Sequence, residues 1–228
     1  MTPVSNAAEA PVVAIDGPSA SGKGTIAKRV ALRLGFHYLE SGALYRVIAL
    51  LSLRTGDLDE RALAAAGEKM DLVFANEKII LEKQDVTEKL RSEECSNRAS
   101  EVAKLPSVRK AMLKRQRAFR KPPGLVADGR DMGTVVFPDA ALKVFLTASP
   151  EVRAERRYKQ LIEKGISANL RALSRDLAER DARDANRPIA PLVPAPDSQV
   201  LDSSALSIEA VVEQIVAWCR ERKLGGRG

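Results

Sequence analysis

The sequence is poor in cysteine, histidine and aromatic side chains. Its 228 residues include two cysteines, one histidine and 4% aromatic residues. Cys95 and Cys219 stand far apart and lack the spacing of a metal site, so we expect buried thiols in a reducing cytoplasm rather than a disulfide framework. His37 has no metal-binding neighbours, and we expect it to pack beside aromatic residues rather than to act in catalysis.

Long apolar runs are also missing. No stretch approaches the roughly 18 consecutive apolar residues that a membrane helix needs. Residues 1–10 carry neither a basic head nor a long apolar segment, so we interpret them as a flexible N-terminus rather than as a signal peptide. We therefore expect a cytoplasmic chain without a membrane partner.

Positive charge is in excess, because 37 lysine and arginine residues outnumber 30 acidic residues and leave a net charge of +7. Such a chain suits polyanions or phosphorylated small molecules. Nucleic acid is the rival partner, but the basic residues are spread along the chain and aromatic residues are few for base stacking, so we favour small molecules. The length suits one α/β domain with an insertion, or two small domains.

One stretch, from Val12 to Thr25, runs from an apolar strand through a glycine-rich turn into a helix. Gly17 and Gly22 let the backbone curl so that successive N–H groups face an anion, and Lys23 adds a mobile positive charge. We predict a nucleotide phosphate site made of Gly17, Pro18, Ser19, Ala20, Ser21, Gly22, Lys23, Gly24 and Thr25. Ser or Thr usually follows the lysine, so Gly24 leaves the usual magnesium-binding hydroxyl in doubt.

Apolar periodicity predicts a parallel α/β core. Strands are expected at 36–39, 125–127, 142–146 and 199–202, with helices between them and an apolar closing helix from Ile208 to Cys219. Residues 57–121 interrupt this alternation with a hairpin that turns at 76–77 and with polar helices. We interpret them as an inserted subdomain.

Polar side chains follow two of the predicted strands. Ser41 and Arg46 come after the strand at 36–39, and Asp128 opens the charged turn after the strand at 125–127. Ligands of open α/β folds bind at the carboxyl ends of parallel strands. An acidic residue there can hold magnesium-bound water or a ligand hydroxyl. The candidate residues of this charged turn are Asp128, Arg130 and Asp131.

Arginines recur at helical spacing after the strand at 142–146. Arg153, Arg156 and Arg157 would lie on one helical face. Glu151 and Glu155 could offset their charges; alternatively, the arginines form a mobile cluster that meets phosphates when the site closes.

A second charged face combines Arg180, Asp184 and Arg187. It is either a salt-bridged exterior or part of the site.

A phosphate loop, arginines on separate segments and acids at strand ends together indicate phosphoryl transfer, which needs positioning and charge neutralisation. A phosphate acceptor is already ionised at neutral pH and needs no general base, so the lack of a catalytic histidine or cysteine is expected. We predict a small P-loop kinase.

Four motifs together resemble the bacterial cytidylate kinases. They are DGPSASGKGT at 16–25, SGALYR at 41–46, DGRDMGTVVFP at 128–138, and RD at 183–184 with PLVP at 191–194. The resemblance covers residues 11–218. Glycine follows the loop lysine in that family, so Gly24 is no exception there.

The resemblance implies phosphorylation of CMP and dCMP by ATP with Mg²⁺. It implies an α/β fold with a P-loop kinase core at 11–56 and 122–222, whose parallel sheet is flanked by helices. An inserted NMP-binding subdomain would occupy 57–121, and a lid would span about 151–187. ATP would bind the loop Gly17 to Thr25.

The resemblance also implies which residues form the acceptor site. Those that would read the cytosine are Ser100, Arg109 and Asp131, with Ser41 nearby. Those that would contact the rest of the acceptor are Arg46, Asp128, Arg130, Arg180, Asp184 and Arg187. Those that would act in catalysis are Lys23, Arg130, Arg153, Arg157 and Asp184. Arg156 would lie in the lid beside Arg153 and Arg157.

Two alternatives stay open from the sequence: a kinase for another small acceptor such as UMP, AMP or shikimate, and a basic nucleic-acid-binding protein. We expect a monomer without a nucleic-acid partner. We also expect no protein-dominated metal site, with Mg²⁺ held mainly by phosphates and water and by Thr25 or Asp128.

Overall fold

The computed structural model describes residues 9–56, 59–75, 78–163 and 165–225. Most of the predicted flexible N-terminus and the predicted turn at 76–77 lie outside these residues. Within the described ranges, no helix has both the length and the apolar character needed to cross a membrane.

The strands form two sheets. Their bounds are β1 (Val12–Asp16), β2 (His37–Glu40), β3 (Leu72–Ala75), β4 (Lys78–Leu81), β5 (Gln84–Asp85), β6 (Leu125–Gly129), β7 (Leu142–Thr147) and β8 (Gln199–Asp202). The larger sheet is parallel, with the strand order β2-β6-β1-β7-β8. Every residue of β1 and β6 is buried, as expected for parallel strands covered on both faces. The predicted α/β class is confirmed.

The helices connect and cover these strands. Their bounds are α1 (Lys23–Leu34), α2 (Ser41–Thr55), α3 (Glu60–Lys69), α4 (Thr87–Leu90), α5 (Glu93–Val102), α6 (Pro106–Arg117), α7 (Pro150–Glu163), α8 (Leu170–Ala185) and α9 (Ile208–Glu221). A π-helical turn, Met132–Val136, follows β6.

Alternating residues of β1 supply two apolar clusters. Val13 and Ile15 pack with α1 and α9 on one face, whereas Val12 and Ala14 pack with α2 on the other. The predicted apolar stripe of the closing helix is buried from Val211 onward. Ile208, which was expected in that stripe, is exposed because it is the first residue of α9.

The small sheet lies in the inserted region and shares no strand with the main sheet. The hairpin predicted there is confirmed by the antiparallel pair β3 and β4, and β5 adds a third antiparallel strand that the sequence did not predict. Between β4 and β5, Glu82 and Lys83 take positive φ values of 49° and 66°. Such tight turns usually carry Asn or Gly, so the residue types gave no signal.

Three local predictions have clear outcomes. Cys95 and Cys219 are buried free thiols, as predicted. His37 is exposed rather than packed, with its Nε2 2.9 Å from the Pro122 carbonyl oxygen, because it starts the edge strand β2. Ser41 follows the strand directly, as predicted, and is the first residue of α2.

Candidate active site

The glycine-rich loop joins the central strand β1 to the N-terminus of α1. Gly17 approaches the neighbouring strand so closely that a Cβ atom would lie 2.0 Å from the Leu146 carbonyl oxygen. Gly22 has a φ of 89°, in the left-handed region that favours glycine. Lys23 folds back, and its Nζ donates to the Pro18 carbonyl oxygen at 3.0 Å. The backbone curl predicted for Gly17 and Gly22 is present, and the loop lies at the positive end of a helix.

Two arginines of α7 hold the loop from outside. Arg153 donates from Nη1 to the Ser19 carbonyl oxygen, and Arg156 donates from Nη1 to the Ser21 carbonyl oxygen, both at 3.2 Å. Arg156 also donates to Ser203, whose carbonyl oxygen lies 2.7 Å from Nη2. The N–H and C=O groups of one peptide unit point in opposite directions. Because the arginines hold these carbonyl oxygens on the outer side of the loop, they favour N–H groups that point to its inner side, where an anion would bind.

The arginines of α7 have separate partners, and Glu151 and Glu155 do not supply them. Arg153 pairs with Asp181 of α8 at 2.6 Å, whereas Arg157 donates from Nε to Glu93 of α5 at 2.7 Å. Of the two alternatives for this cluster, direct pairing with glutamates of the same helix is not what the structure shows, because α8 and α5 bring nearer carboxylates. Arg153 is only 6% exposed and lies behind the loop, where its Nη1 holds the Ser19 carbonyl oxygen.

Arg130 joins the loop to the charged face of α8. It follows β6, and its Nη2 donates to the Ser19 hydroxyl while its Nε donates to Asp184, each at 2.8 Å. Its Nη1 donates to the Gly129 carbonyl oxygen at 3.2 Å. A single guanidinium thus spans two elements that are distant in sequence.

Asp184 is the centre of a buried charge network. Besides Arg130, it accepts hydrogen bonds from Arg187, which lies just beyond the end of α8, and from the Ser100 hydroxyl at 3.2 Å. Burial opposes its ionisation, but the charges of Arg130 and Arg187 outweigh this and lower its pKa to about 2. The structure therefore brings together three of the predicted acceptor-site residues around this carboxylate.

Arg180 does not bind Asp184 directly. Its Nη1 donates to the Ser96 hydroxyl of α5 at 2.6 Å. Burial and the nearby charge of Arg130 lower the pKa of Arg180 to about 10. The predicted face of α8 thus lies against the inserted region and is not a solvent-exposed exterior.

A second buried ion pair joins Arg109 of α6 to Asp131. The Arg109 guanidinium carbon lies 5.9 Å from the centre of the Tyr45 ring, close enough for a cation–π contact. Ser41 lies beneath the same turn, because a Cβ on Gly129 would be 2.5 Å from the Ser41 hydroxyl oxygen. The carboxyl end of β6 and the inserted region therefore share a polar, largely buried site.

Lys23 and Asp128 lie at the boundary between the loop and this site. Burial lowers the pKa of Lys23, with Arg130 adding to the effect and Asp128 opposing it. Burial raises the pKa of Asp128, and Glu40 adds to this shift. A bound polyphosphate would favour the charged form of Lys23, since an opposite charge nearby raises a lysine pKa.

The residues here suit Mg²⁺ bound mainly through phosphates. In the described part of the chain, no group of three or more His, Cys, Asp or Glu side chains could hold a metal ion. Asp128 Oδ2 lies 3.5 Å from the place that a Cβ on Gly24 would occupy, so one carboxylate borders the loop. Thr25 is exposed at the start of α1. One carboxylate completed by phosphates and water fits the oxygen-rich, hydrated shell of Mg²⁺.

Two further site residues were missed from the sequence. Asp16 ends β1 and accepts hydrogen bonds from the backbone N–H groups of Met132 and Gly133. Glu40 ends β2 and pairs with Arg46. Each is an acidic residue at the carboxyl end of a strand in the main sheet, which is the signal that identified Asp128 and could have identified both.

These features define a class of protein. A parallel five-stranded sheet, a glycine-rich loop between its central strand and a helix, and arginines converging beside that loop are the parts of a P-loop kinase. The general prediction of a small P-loop kinase agrees with this arrangement.

Comparison with known proteins identifies the family. The profile of the cytidylate kinases matches residues 13–221. The cytidylate kinase of Bordetella bronchiseptica is 59% identical over 217 residues, which span 94% of this chain and 97% of that protein. That of Burkholderia pseudomallei strain 1106a is 59% identical over 213 residues, spanning 92% and 93%. The chain belongs to the cytidylate kinase family, so the resemblance found in its motifs is confirmed.

A solved structure of an uncharacterized protein from Eubacterium ventriosum resembles the fold. Its TM-score is 0.51 at 11% identity, with 92% of this chain and 98% of that chain covered. At this identity the likeness concerns the fold alone. Family membership favours the kinase interpretation over a basic nucleic-acid-binding protein.

Proposed function

We propose that this chain transfers the γ-phosphoryl group of ATP to the phosphate of CMP or dCMP, giving ADP and CDP or dCDP. The observation that carries the proposal is the position of Arg130, which contacts Ser19 of the phosphate loop and Asp184 of the acceptor cluster at once. Membership of the cytidylate kinase family supports the same reaction.

In this proposal the loop binds the donor. Inward N–H groups of residues 17–25 and the N-terminus of α1 would hold the phosphates, and Lys23 would release the Pro18 carbonyl oxygen to reach the outer ones. Mg²⁺, when bound, supplies positive charge to the β- and γ-phosphate oxygens, and Asp128 is the residue that would border it. Arg153 would act through the loop by holding the Ser19 carbonyl oxygen.

The acceptor would bind on the other side of Arg130. We assign the cytosine to Ser100 and to the Arg109–Asp131 pair, with Ser41 nearby. A buried ion pair offers fixed donors and acceptors, which favours a base with matching polar edges over one without them.

We assign the acceptor phosphate to Arg46 and Arg130, and its sugar and phosphate to Asp184, Arg180 and Arg187. Glu40 and Asp184 neutralise Arg46 and Arg130 in the ligand-free chain. An incoming phosphate would replace these carboxylates as the partner of the arginines, with charge-assisted hydrogen bonds of similar strength.

Arg157 would join the site by leaving Glu93. This ion pair connects α7 with α5 and is partly exposed, so breaking it costs about 1 kcal/mol or less. A closing movement of residues 151–187 could therefore carry Arg157 to the transferred phosphoryl group at small cost.

A monomeric state and a cytoplasmic location remain predictions, and the two buried free thiols agree with a reducing compartment.

An acceptor panel tests the function directly. Release of ADP is measured with a coupled assay on CMP, dCMP, UMP, AMP and shikimate, with enzyme, ATP and Mg²⁺ held constant. We expect strong turnover with CMP and dCMP, because the acceptor site offers polar partners for a cytosine. Strong turnover with AMP or shikimate and none with CMP would contradict the proposal.

Tight binding of RNA that does not need ATP, without turnover of any acceptor, would favour the nucleic-acid alternative. Its cheapest measurement is retention on immobilised RNA at increasing salt, since phosphate contacts weaken steeply with ionic strength.

A further inference from the structure

Asp16 is a buried carboxylate to which the proposed transfer gives no role. It is the last residue of β1, directly before Gly17 of the phosphate loop, and only 6% of it is exposed. Its Oδ1 accepts a hydrogen bond from the Met132 N–H and its Oδ2 accepts one from the Gly133 N–H, both at 2.8 Å. A carboxylate removed from water needs such donors, so the two N–H groups and Asp16 hold one another in place.

The segment held by Asp16 carries the acceptor residues. Met132 and Gly133 open the π-helical turn that directly follows Arg130 and Asp131. The Asp131 carbonyl oxygen accepts hydrogen bonds from the Val135 and Val136 N–H groups at 2.9 and 3.1 Å. The main chain around Asp131 is thus fixed by its own turn on one side and by the loop strand on the other.

Strand pairing alone does not achieve this. The register of β1 with β6 ends where Asp16 pairs with Gly129, one residue before Arg130. Beyond this pair, the described hydrogen bonds that join this backbone to β1 are the two that the Asp16 carboxylate accepts. Arg117 of α6 also holds the turn by donating to the Val135 and Val136 carbonyl oxygens, but of these two side chains only Asp16 ties it to β1.

We propose that Asp16 is a positioning residue that fixes the acceptor turn relative to the phosphate loop. One strand end then sets both halves of the site, since Gly17 begins the donor loop and the Asp16 carboxylate holds the segment that presents Arg130 and Asp131. The inference rests on the proposed function, which assigns those two residues to the acceptor. Transfer between two bound nucleotides depends steeply on alignment, so a small shift of this turn lowers the rate.

Burial disfavours the charged form of Asp16. Burial, with Asp131 adding to the effect, raises the pKa of Asp16 to about 6, although the two N–H groups and Arg130 oppose this. The folded protein therefore tolerates the carboxylate rather than gaining stability from its ionisation. Asn has nearly the same shape and lacks the desolvation cost of a charge, but its NH₂ group would face one of the two backbone N–H groups. Asp16→Asn thus separates positioning from folding.

The test compares Asp16→Asn with Asp85→Asn. Asp85 also caps a turn, accepting from the Thr87 N–H at 3.0 Å, but it lies in the small sheet of the inserted region and belongs to no part of the site. Steady-state kinetics, thermal unfolding and amide hydrogen exchange are measured on both variants and on the unmodified chain. For Asp16→Asn we expect kcat/KM for CMP to fall about tenfold or more, as for the loss of one charge-assisted hydrogen bond.

Three companion results are expected for Asp16→Asn. The KM for ATP changes less than about twofold, the unfolding midpoint stays within the range of the control, and the Met132 and Gly133 amides exchange faster than in the unmodified chain. Asp85→Asn leaves the kinetics and these two amides unchanged.

Several outcomes would overturn the proposal. Unchanged kinetics would do so, and so would equal losses for CMP and ATP together with a lower unfolding midpoint, which indicate a structural role only. Failure of Asp16→Asn to fold would likewise show that the carboxylate holds the fold rather than the turn. If the unmodified chain does not phosphorylate CMP, the proposed function fails instead, and the exchange of Met132 and Gly133 still decides whether Asp16 holds the turn.

Discussion

The donor half and the acceptor half that we propose for the site are built in different ways. The donor half is one continuous loop, residues 17–25, which presents mainly backbone N–H groups between β1 and α1. The acceptor half is a network of charged side chains from the inserted region, the turn after β6 and the end of α8. Continuity in sequence makes the first half recognisable as a motif, whereas the second exists only where separate segments meet.

The two halves also differ in what stabilises them when no ligand is bound. Loop N–H groups are weak, fixed dipoles, and the loop keeps its shape through glycine conformations and through arginines bound to its carbonyls. The acceptor arginines are full charges in a poorly hydrated site, so carboxylates must neutralise them until a phosphate arrives. Asp184 and Glu40 serve this purpose for Arg130 and Arg46.

The largest expected effect tests the autonomy of the donor half. Lys23→Ala removes the only mobile charge of the loop, so we expect a loss of about 3–4 kcal/mol of transition-state stabilisation, or roughly two to three orders of magnitude in kcat. The fold should persist, because Lys23 binds only a carbonyl oxygen of its own loop in the described contacts. The measurement is kcat by ADP release with circular dichroism on the same sample.

Lys69→Ala is the matched control for that prediction, since Lys69 is an exposed lysine at the end of α3. A near-normal kcat in Lys23→Ala would remove the lysine from the mechanism and weaken the contrast between the halves.

An intermediate effect tests whether charge pairing holds the acceptor half together. Folding lowers the pKa of Asp184 from 3.8 to about 2, so its ionised form stabilises the fold fully above about pH 4. That contribution, about 2 kcal/mol for a shift of this size, is lost as the pH falls through about 2. We expect Asp184→Asn to lose stability more slowly than the unmodified chain between pH 5 and pH 3, as measured by urea unfolding.

The control for the acid titration is Asp176→Asn, which alters an exposed carboxylate on the same helix. If Asp184→Asn and the unmodified chain lose stability in parallel as the pH falls, the network does not depend on this carboxylate.

The smallest expected effect tests whether the donor loop acts independently of the acceptor half. Arg156→Gln removes the guanidinium that holds the Ser21 carbonyl oxygen and the Ser203 carbonyl oxygen. We expect the KM for ATP to rise by a few-fold, equivalent to about 1 kcal/mol, while the KM for CMP stays nearly constant. Arg175→Gln, at an exposed position of α8, is the control. Equal rises in both KM values would mean that the two halves are not separable at this residue.

Residue patterns predicted much of the fold because they act locally. The buried run of β1 and the glycines after it dictate strand and loop within residues 12–22. The third strand of the inserted sheet was missed because Glu82 and Lys83 form a turn that their residue types do not favour. Tertiary packing there outweighs a local preference.

The arginines of α7 show why spacing along a helix was not enough. Compensation by glutamates of the same helix was one of two explanations for Arg153 and Arg157, yet their partners are Asp181 and Glu93 from other helices. Packing of the helices brings Asp181 and Glu93 to 2.6 and 2.7 Å from these guanidinium groups, so the choice of partner depends on which carboxylate lies within reach. No helical wheel contains that information.

By itself, then, the sequence determined the class of fold, the position of the phosphate loop and the kind of residue that surrounds it, because glycine, lysine and apolar periodicity act within a few residues of one another. Only the tertiary structure decided that Arg130 contacts both halves, that Asp184 binds Ser100 and Arg187, and that the Asp16 carboxylate binds the turn after β6. Those contacts join segments far apart in the chain, and charges in a buried site take the partners that packing brings within reach.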